Sequence, residues 1–265
     1  MPRFPFRGLL MSDADAGMTN KELDSAFDAD YEYFMRIQHH SEYNLRELDI
    51  VTHLGGLQPG EKVLDAPCGY GRISLGLARA GFEVVGIDRS EQFIRSARRD
   101  AAESGVSVDY RIGDLRTLDL APQFDLAVMW FNSFGYTSDD ESRRILANLR
   151  HALLPGGRLV VDTVNPAFEY SQAFAQNPRY RMMQGAGTDF LVDEMTVLAD
   201  RVKGRRIIVR SGAVRELLWS LRLLSQGEFG DWFRSAGFGS VAFFGEDGPG
   251  PPKIGRRRMI VVGRL

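Results

Sequence analysis

Lys62-Val63-Leu64-Asp65-Ala66-Pro67-Cys68-Gly69-Tyr70-Gly71 is a short apolar run that closes on an acid and passes at once into a glycine-rich turn. The segment behind it, Arg72-Ile73-Ser74-Leu75-Gly76-Leu77-Ala78, reads as a helix, so the unit is strand, turn, helix. Glycines in such a turn let backbone come close to a bound molecule. A lone glycine loop is common, and its weight here comes from two further strands downstream. One at 82–87 ends in Asp88, and another at 106–112 runs into Gly113-Asp114-Leu115. Three consecutive strands thus each carry a carboxylate at their C-terminal ends, the edge where open α/β sheets bind ligands.

With these three stations the chain resembles the class I S-adenosylmethionine-dependent methyltransferases, closely over about residues 45–165 and more loosely elsewhere. The resemblance implies S-adenosyl-L-methionine as cofactor. Its methionine part would lie over the turn formed by Asp65, Ala66, Pro67, Cys68, Gly69 and Gly71, with Asp65 close to the ammonium group. Asp88, with Arg89 beside it, would accept from the ribose hydroxyls, and Gly113, Asp114 and Leu115 would meet the adenine. Tyr33, Trp130 and Phe131 complete the implied cofactor set. The residue types suit these roles, because an ionised carboxylate only accepts and matches a diol or an exocyclic amine. The chain departs from the family pattern at Ala66-Pro67, where a glycine before the cysteine is more usual; proline stiffens the turn and has no N–H to donate.

A chain of 265 residues suffices for one α/β domain with a sizeable insertion. With 44% hydrophobic and 26% charged residues and a net charge of −2, it has the make-up of a soluble globular protein and no global field favouring nucleic acid. Arg205-Arg206 and Arg256-Arg257-Arg258 are read as solvated strand and loop positions. One cysteine excludes an internal disulfide and, with four histidines, argues against a metal site. No apolar stretch is long enough to span a bilayer, and residues 1–18 lack the hydrophobic segment of a secretory signal. Met11 and Met18 are alternative starts, and the expected location is cytoplasmic.

Helix and strand signals alternate from 60 to 165, the pattern of a parallel sheet covered on both faces. Ser90 caps one helix; Ser138-Asp139-Asp140-Glu141 and Ser225-Gln226-Gly227-Glu228 are capping boxes for two more. Leu154-Pro155-Gly156-Gly157 ends the middle helix and leads into a fifth strand at 158–164. Strands at 240–245 and 259–262 complete the expected fold: a doubly wound, seven-stranded, mostly parallel α/β sheet of the Rossmann-like methyltransferase type. The loop 246–253, rich in glycine and proline, is expected to be mobile. Residues 166–224 read as an antiparallel β insertion of three strands, 189–198, 205–211 and 214–223, with Lys203-Gly204 as the first hairpin turn. The domain reading is therefore an N-terminal leader and lid helices over 1–54, a core from 55–165 and 225–265, and a β lid between.

Methyl transfer from a sulfonium needs alignment and dryness rather than a covalent intermediate, so catalytic residues are harder to name than cofactor residues. Trp130-Phe131-Asn132-Ser133-Phe134-Gly135-Tyr136 leaves the fourth strand beside the expected methyl group; Asn132 and Tyr136 are placed to orient a substrate heteroatom, while Trp130 and Phe134 read equally well as core. Aromatic faces there would attract a sulfonium or an amine. The stretch is not the Asn/Asp-Pro-Pro-aromatic pattern of methyltransferases acting on base amino groups. His39 and His40 precede a helix at 41–54, and His40 is carried as the general-base candidate against the plainer reading of exposed polar residues. Tyr31 and Tyr33 are candidates for the cofactor carboxylate, and Asn165 and Glu169 for substrate or loop capping. Cys68 is read as packing.

The expected activity is methylation of N or O on a small organic acceptor, in the manner of bacterial tailoring enzymes, with a homodimer as the assembly carried forward. Two alternatives compete. A nicotinamide-dependent dehydrogenase would use Gly69-x-Gly71 and Asp88, although Ser74 stands at the third glycine position and Gly113-Asp114 would have no purpose. A protein that binds the cofactor without transferring its methyl group would show the same motifs, since a fold does not fix chemistry.

Overall fold

The computed structural model describes residues 17–265, so the expected leader and the start at Met11 lie outside the described residues. The chain opens with α1 (Asn20–Ala26), α2 (Ala29–Gln38) and α3 (Ser41–Gly55). It then alternates through β1 (Lys62–Asp65), α4 (Arg72–Arg79), β2 (Glu83–Asp88), α5 (Glu91–Glu103), β3 (Asp109–Ile112), β4 (Phe124–Met129), α6 (Asp139–His151) and β5 (Leu153–Val164). After α7 (Pro166–Ala175) come β6 (Arg179–Gln184), β7 (Phe190–Leu198), β8 (Arg201–Arg210) and β9 (Ala213–Arg222). The chain closes with α8 (Gln226–Ala236), β10 (Ser240–Gly245) and β11 (Arg258–Arg264).

The main sheet has the order β10-β11-β5-β4-β1-β2-β3, parallel except where β11 pairs with β5 and β10. Side-chain alternation along the strands builds both cores. Leu64, Val85, Met129 and Val161 face α6 and α8, meeting Leu146, Leu149, Phe229 and Phe233. Their chain neighbours Val63, Val84, Val128 and Val160 face the other side, against Val51 and Leu54 of α3 and Ile73 and Leu77 of α4. Ser90, Ser138 and Ser225 cap α5, α6 and α8, the last two in full capping boxes. Because the chain winds one way from β1 to β3 and the other way through β4 and β5, a crevice opens between β1 and β4 at their C-terminal ends.

The second sheet, β6-β7-β8-β9, is antiparallel and has four strands where the sequence suggested three. The first hairpin turns at Ala199-Asp200, with Ala199 at φ +50°, and Lys203-Gly204 lies inside β8. Gly204 is opposite Trp219, whose indole fills the space where a Cβ would stand, within 2.0 Å. The glycine therefore serves a close approach rather than a turn. The fifth strand also starts earlier than expected, at Leu153, which pairs with Phe124. Two arginines read as solvated are not: Arg206 forms a two-pronged pair with Asp193 at 2.7 and 2.9 Å, and Arg258 bonds Glu47 at 2.6 Å and Asp162 at 2.8 Å. No helix among the described residues is long and apolar enough to cross a membrane.

Candidate active site

The rim of the crevice is built by carboxylates holding backbone. Gly69 (φ +55°) donates its N–H to Asp88 Oδ2 at 2.8 Å, while Asp88 Oδ1 accepts from the N–H of Ser90 at 2.8 Å. Asp88 thus ties the glycine turn after β1 to the start of α5. Asp65 is 1% exposed and accepts from the N–H of Ser74 at 3.0 Å and from its hydroxyl at 2.5 Å. Ser74 therefore has a use that a third dinucleotide-site glycine would not supply. Burial pushes the Asp65 carboxyl up to about 7 against those bonds. Asp114 is gripped by Arg116 through Nε at 2.9 Å and Nη2 at 2.5 Å, and that guanidinium holds its carboxyl below the usual range. Any ligand amine at Asp114 has to share it with Arg116.

These groups border a cavity of about 1230 Å³ that includes its open mouth. Asp65, Pro67, Cys68, Gly69, Asp88 and Arg89 line one side, and Gly113, Asp114, Leu115, Trp130 and Phe131 line another. Two residues of the expected turn stand behind the wall. Ala66 is fully buried with its N–H on the carbonyl of Val128 at 2.9 Å, and a Cβ on Gly71 (φ +85°) would come within 2.4 Å of the Tyr110 hydroxyl. Burial pushes the Cys68 thiol well up, which suits packing rather than nucleophilic chemistry. Tyr33 is away from this cavity: its hydroxyl donates to Asp189 at 2.9 Å and accepts from the N–H of Ala186 at 2.8 Å, tying α2 to the second sheet. Tyr31 is the one of the pair that lines the cavity, and burial pushes its phenol up to about 12.

A second chamber of about 860 Å³, its open mouth included, adjoins the first. Phe27, Tyr31, Phe131 and Tyr136 border both, and Arg181, Met183, Asp193, Arg206 and Trp219 bring the second sheet to its wall. Asn132 lines this chamber, and its side-chain Oδ1 is buried without a hydrogen-bond partner. Phe131 and Asn132 both have positive φ, +62° and +53°, an unfavourable region for a phenylalanine. Asp162 Oδ2 holds them there by accepting the N–H of Phe131 at 2.8 Å and of Asn132 at 3.3 Å. Tyr136 lies edge-on to Phe27 with ring centres 5.0 Å apart, and burial raises its phenol pKa. Glu169 reaches the chamber wall bound to Arg179, whereas Asn165 caps α7 and holds the carbonyls of Lys253 and Arg256.

Of the two histidines, His39 faces the first cavity. His40 is exposed and serves as the N-cap of α3, with its Nδ1 accepting from the N–H of Tyr43 at 3.4 Å. His39 is buried, stacks on Tyr43, meets Phe131 edge-on and lies 2.8 Å from the Tyr70 hydroxyl through Nδ1. Burial, then the charges of Arg72 and Arg258, lower it to about 3, so the ring is neutral near neutral pH and a poor proton acceptor. Sequence reasoning also missed a buried network behind the rim. Trp130 Nε1 donates to Glu47 Oε2 at 2.6 Å, and Arg258 bridges Glu47 and Asp162. Glu47 sits on the inward face of α3 between Tyr43 and Ile50, where its position among apolar neighbours was the available signal.

Residues 63–157 match the family described as a methyltransferase domain. A ubiquinone biosynthesis O-methyltransferase of Xylella fastidiosa is 41% identical over 109 residues, covering 40% of this chain and 43% of that protein. A protein of the same name from Alkalilimnicola ehrlichii is 32% identical over 155 residues, 57% of each chain. The chain thus spans about half the length of the curated relatives it matches. Among solved structures, an S-adenosylmethionine-dependent methyltransferase from Clostridium acetobutylicum superposes with a TM-score of 0.74 at 15% identity, over 89% of this chain and 98% of that one. A SAM-bound amino pentose methyltransferase from Micromonospora echinaspora, involved in calicheamicin biosynthesis, gives 0.65 at 22% identity, over 89% and 96%. The matched segment is thus similar to a methyltransferase domain, and the fold is the one shared by class I S-adenosylmethionine-dependent methyltransferases.

Proposed function

We propose that the protein transfers a methyl group from S-adenosylmethionine to a nitrogen or oxygen of a small organic acceptor held in the second chamber. The shared wall of Phe27, Tyr31, Phe131 and Tyr136 carries this reading, because it sets two cavities side by side at the crevice. The residues present suit the cofactor. Asp88 retains acceptor capacity after its two backbone bonds, since an ionised carboxylate offers about four lone-pair sites. A Cβ on Gly69 would meet no atom within 4 Å, so the turn leaves room for a ligand. Asp65, Gly69 and Asp88 would hold the methionine and ribose parts, with Gly113, Asp114 and Leu115 at the adenine. A bound sulfonium supplies a methyl group already activated for displacement.

The chain's own work is then to orient the nucleophile and keep water out. Asn132 Oδ1 is the orienting group: buried without a partner, it gains a hydrogen bond when an acceptor N–H or O–H is turned toward it. Tyr136 and Phe131 wall the route between the chambers. The helices over 20–54 and the segment 166–224 act as covers, the second through the face of the antiparallel sheet that carries Met183 and Trp219. An acceptor from specialised metabolism fits this partly aromatic chamber. Incubating the protein with methyl-labelled cofactor and a panel of amines, phenols and carboxylic acids tests the reading. Label should appear in at least one small acceptor; tight cofactor binding with no acceptor labelled would point to a role without transfer.

A further inference from the structure

Charge in the second chamber is unevenly matched. Asp193 is taken by Arg206 in a two-pronged pair, and Glu169 is taken by Arg179. Arg181, on the wall between them, has no carboxylate within ion-pair distance among the described residues; its one hydrogen bond goes to the Met183 sulfur at 3.7 Å. Solvent reaches Arg181, yet enough protein surrounds the guanidinium that burial lowers its pKa, the combination expected of a cation projecting into a cavity. It lines the same chamber as Tyr31 and Tyr136, the two tyrosines that border both cavities. Around it the wall is apolar and aromatic, from Phe27, Met183, Met195, Trp219 and Leu221.

We propose that the methyl acceptor is an organic anion, a ring-bearing molecule whose carboxylate or phosphate pairs with Arg181 while its nucleophilic N–H or O–H faces Asn132. The inference rests on the methyltransferase reading and narrows the acceptor to one chemical class. A guanidinium fork matches either oxyanion with paired hydrogen bonds, and its preference for a charged partner is strongest where water is scarce. A neutral ring seated on that wall would displace water from Arg181 without giving it a charged partner, and an ammonium would face it with like charge.

The test uses the full chain saturated with S-adenosylhomocysteine and three probes of similar shape: benzoate, phenyl phosphate and uncharged benzamide, titrated by ligand-observed NMR. At least one anion should bind about ten- to hundredfold more tightly than benzamide, and the stronger of the two identifies carboxylate or phosphate as the group recognised. Arg181→Gln should abolish that preference and Arg181→Lys should keep part of it, with S-adenosylhomocysteine affinity unchanged in both. Arg181 is exposed and its side chain makes one hydrogen bond, to the Met183 sulfur, so neither change disturbs the core. Benzamide binding as well as both anions, an anion preference that survives Arg181→Gln, or no binding by either anion would each overturn the proposal while leaving the methyltransferase reading intact. Failure of the wild-type chain to bind S-adenosylhomocysteine would remove that reading and this inference with it.

Discussion

Asp88 and Gly69 are joined by a 2.8 Å hydrogen bond, so the acid that ends β2 holds the turn that leaves β1. One side chain therefore shapes the crevice and also faces into it. Asp88→Ala removes both contributions and should weaken S-adenosylhomocysteine binding by about 2–4 kcal/mol, the range for losing charge-assisted hydrogen bonds. Asp88→Asn keeps one acceptor and should lose less. Calorimetric titration of the three proteins checks the order, and equal affinity for wild type and Asp88→Ala would refute the ribose role.

The two glycines of the turn should respond differently to alanine. At Gly71 the new methyl would lie within 2.4 Å of the Tyr110 hydroxyl and 2.8 Å of Ala97, and φ is +85°. At Gly69 the φ is +55° but a Cβ meets nothing within 4 Å. The backbone term is about 1–2 kcal/mol for either, so Gly71→Ala should lose clearly more stability in urea denaturation. Gly69→Ala should keep most of its stability and lose affinity for S-adenosylhomocysteine. Equal stabilities for the two variants would contradict this division.

Which features are legible in the sequence depends on the range of the signals. The strand-turn-helix unit at 62–78 and the acids Asp65, Asp88 and Asp114 are local, set by alternation and capping within a few residues, and they lie where expected. The antiparallel sheet exceeds the expected three strands because Arg179–Gln184 has no alternation of its own and is a strand through pairing with β7. Gly204 misleads because a glycine needed for the Trp219 indole has the same letter as a turn glycine. His39 and His40 are adjacent in sequence, and only the cap geometry of α3 separates the buried ring from the exposed one. The ties of Arg258 to Glu47 and Asp162 span 211 and 96 residues, and nothing in a local window reports them.

Asp65 gives a pH signature with a definite sign. Its carboxyl is raised to about 7 in the folded chain from an ordinary 3.8, so between those values the folded state keeps a proton that the unfolded state has lost. Stability from this group is therefore full below about pH 4, falls as pH rises, and has been lost above about pH 7. Asp65→Asn is neutral in both states and should lack that slope, so its stability relative to wild type should improve from about pH 4 to about pH 7. Parallel urea midpoints across that window would rule out the buried-acid assignment. Cofactor binding near about pH 6 should release protons if the ammonium group sits beside Asp65, because a nearby cation favours the carboxylate. Calorimetry in buffers of different ionisation heat measures that release.

Asn132 is where backbone conformation and chemistry can be separated. Asp162 holds the N–H groups of Phe131 and Asn132, and Arg258 with Glu47 holds Asp162 in turn, so the positive φ of Asn132 is imposed from behind the site. Asn132→Leu would add strain to the loss of the amide and confuse the two. Asn132→Gly accepts φ +53° without strain and removes only the side chain that carries the orphaned Oδ1. If that oxygen orients the acceptor, the glycine variant should keep S-adenosylhomocysteine affinity and fold stability within about 1 kcal/mol while turnover falls by about ten- to a hundredfold, the scale of one lost hydrogen bond to a positioned nucleophile. Asn132→Asp retains an acceptor oxygen and should recover part of the loss with an amine acceptor, whose N–H still finds a partner. Single-turnover kinetics with any acceptor found by labelling separates the outcomes. An Asn132→Gly enzyme that transfers methyl groups at the wild-type rate would show that the nucleophile is aligned by the aromatic wall alone.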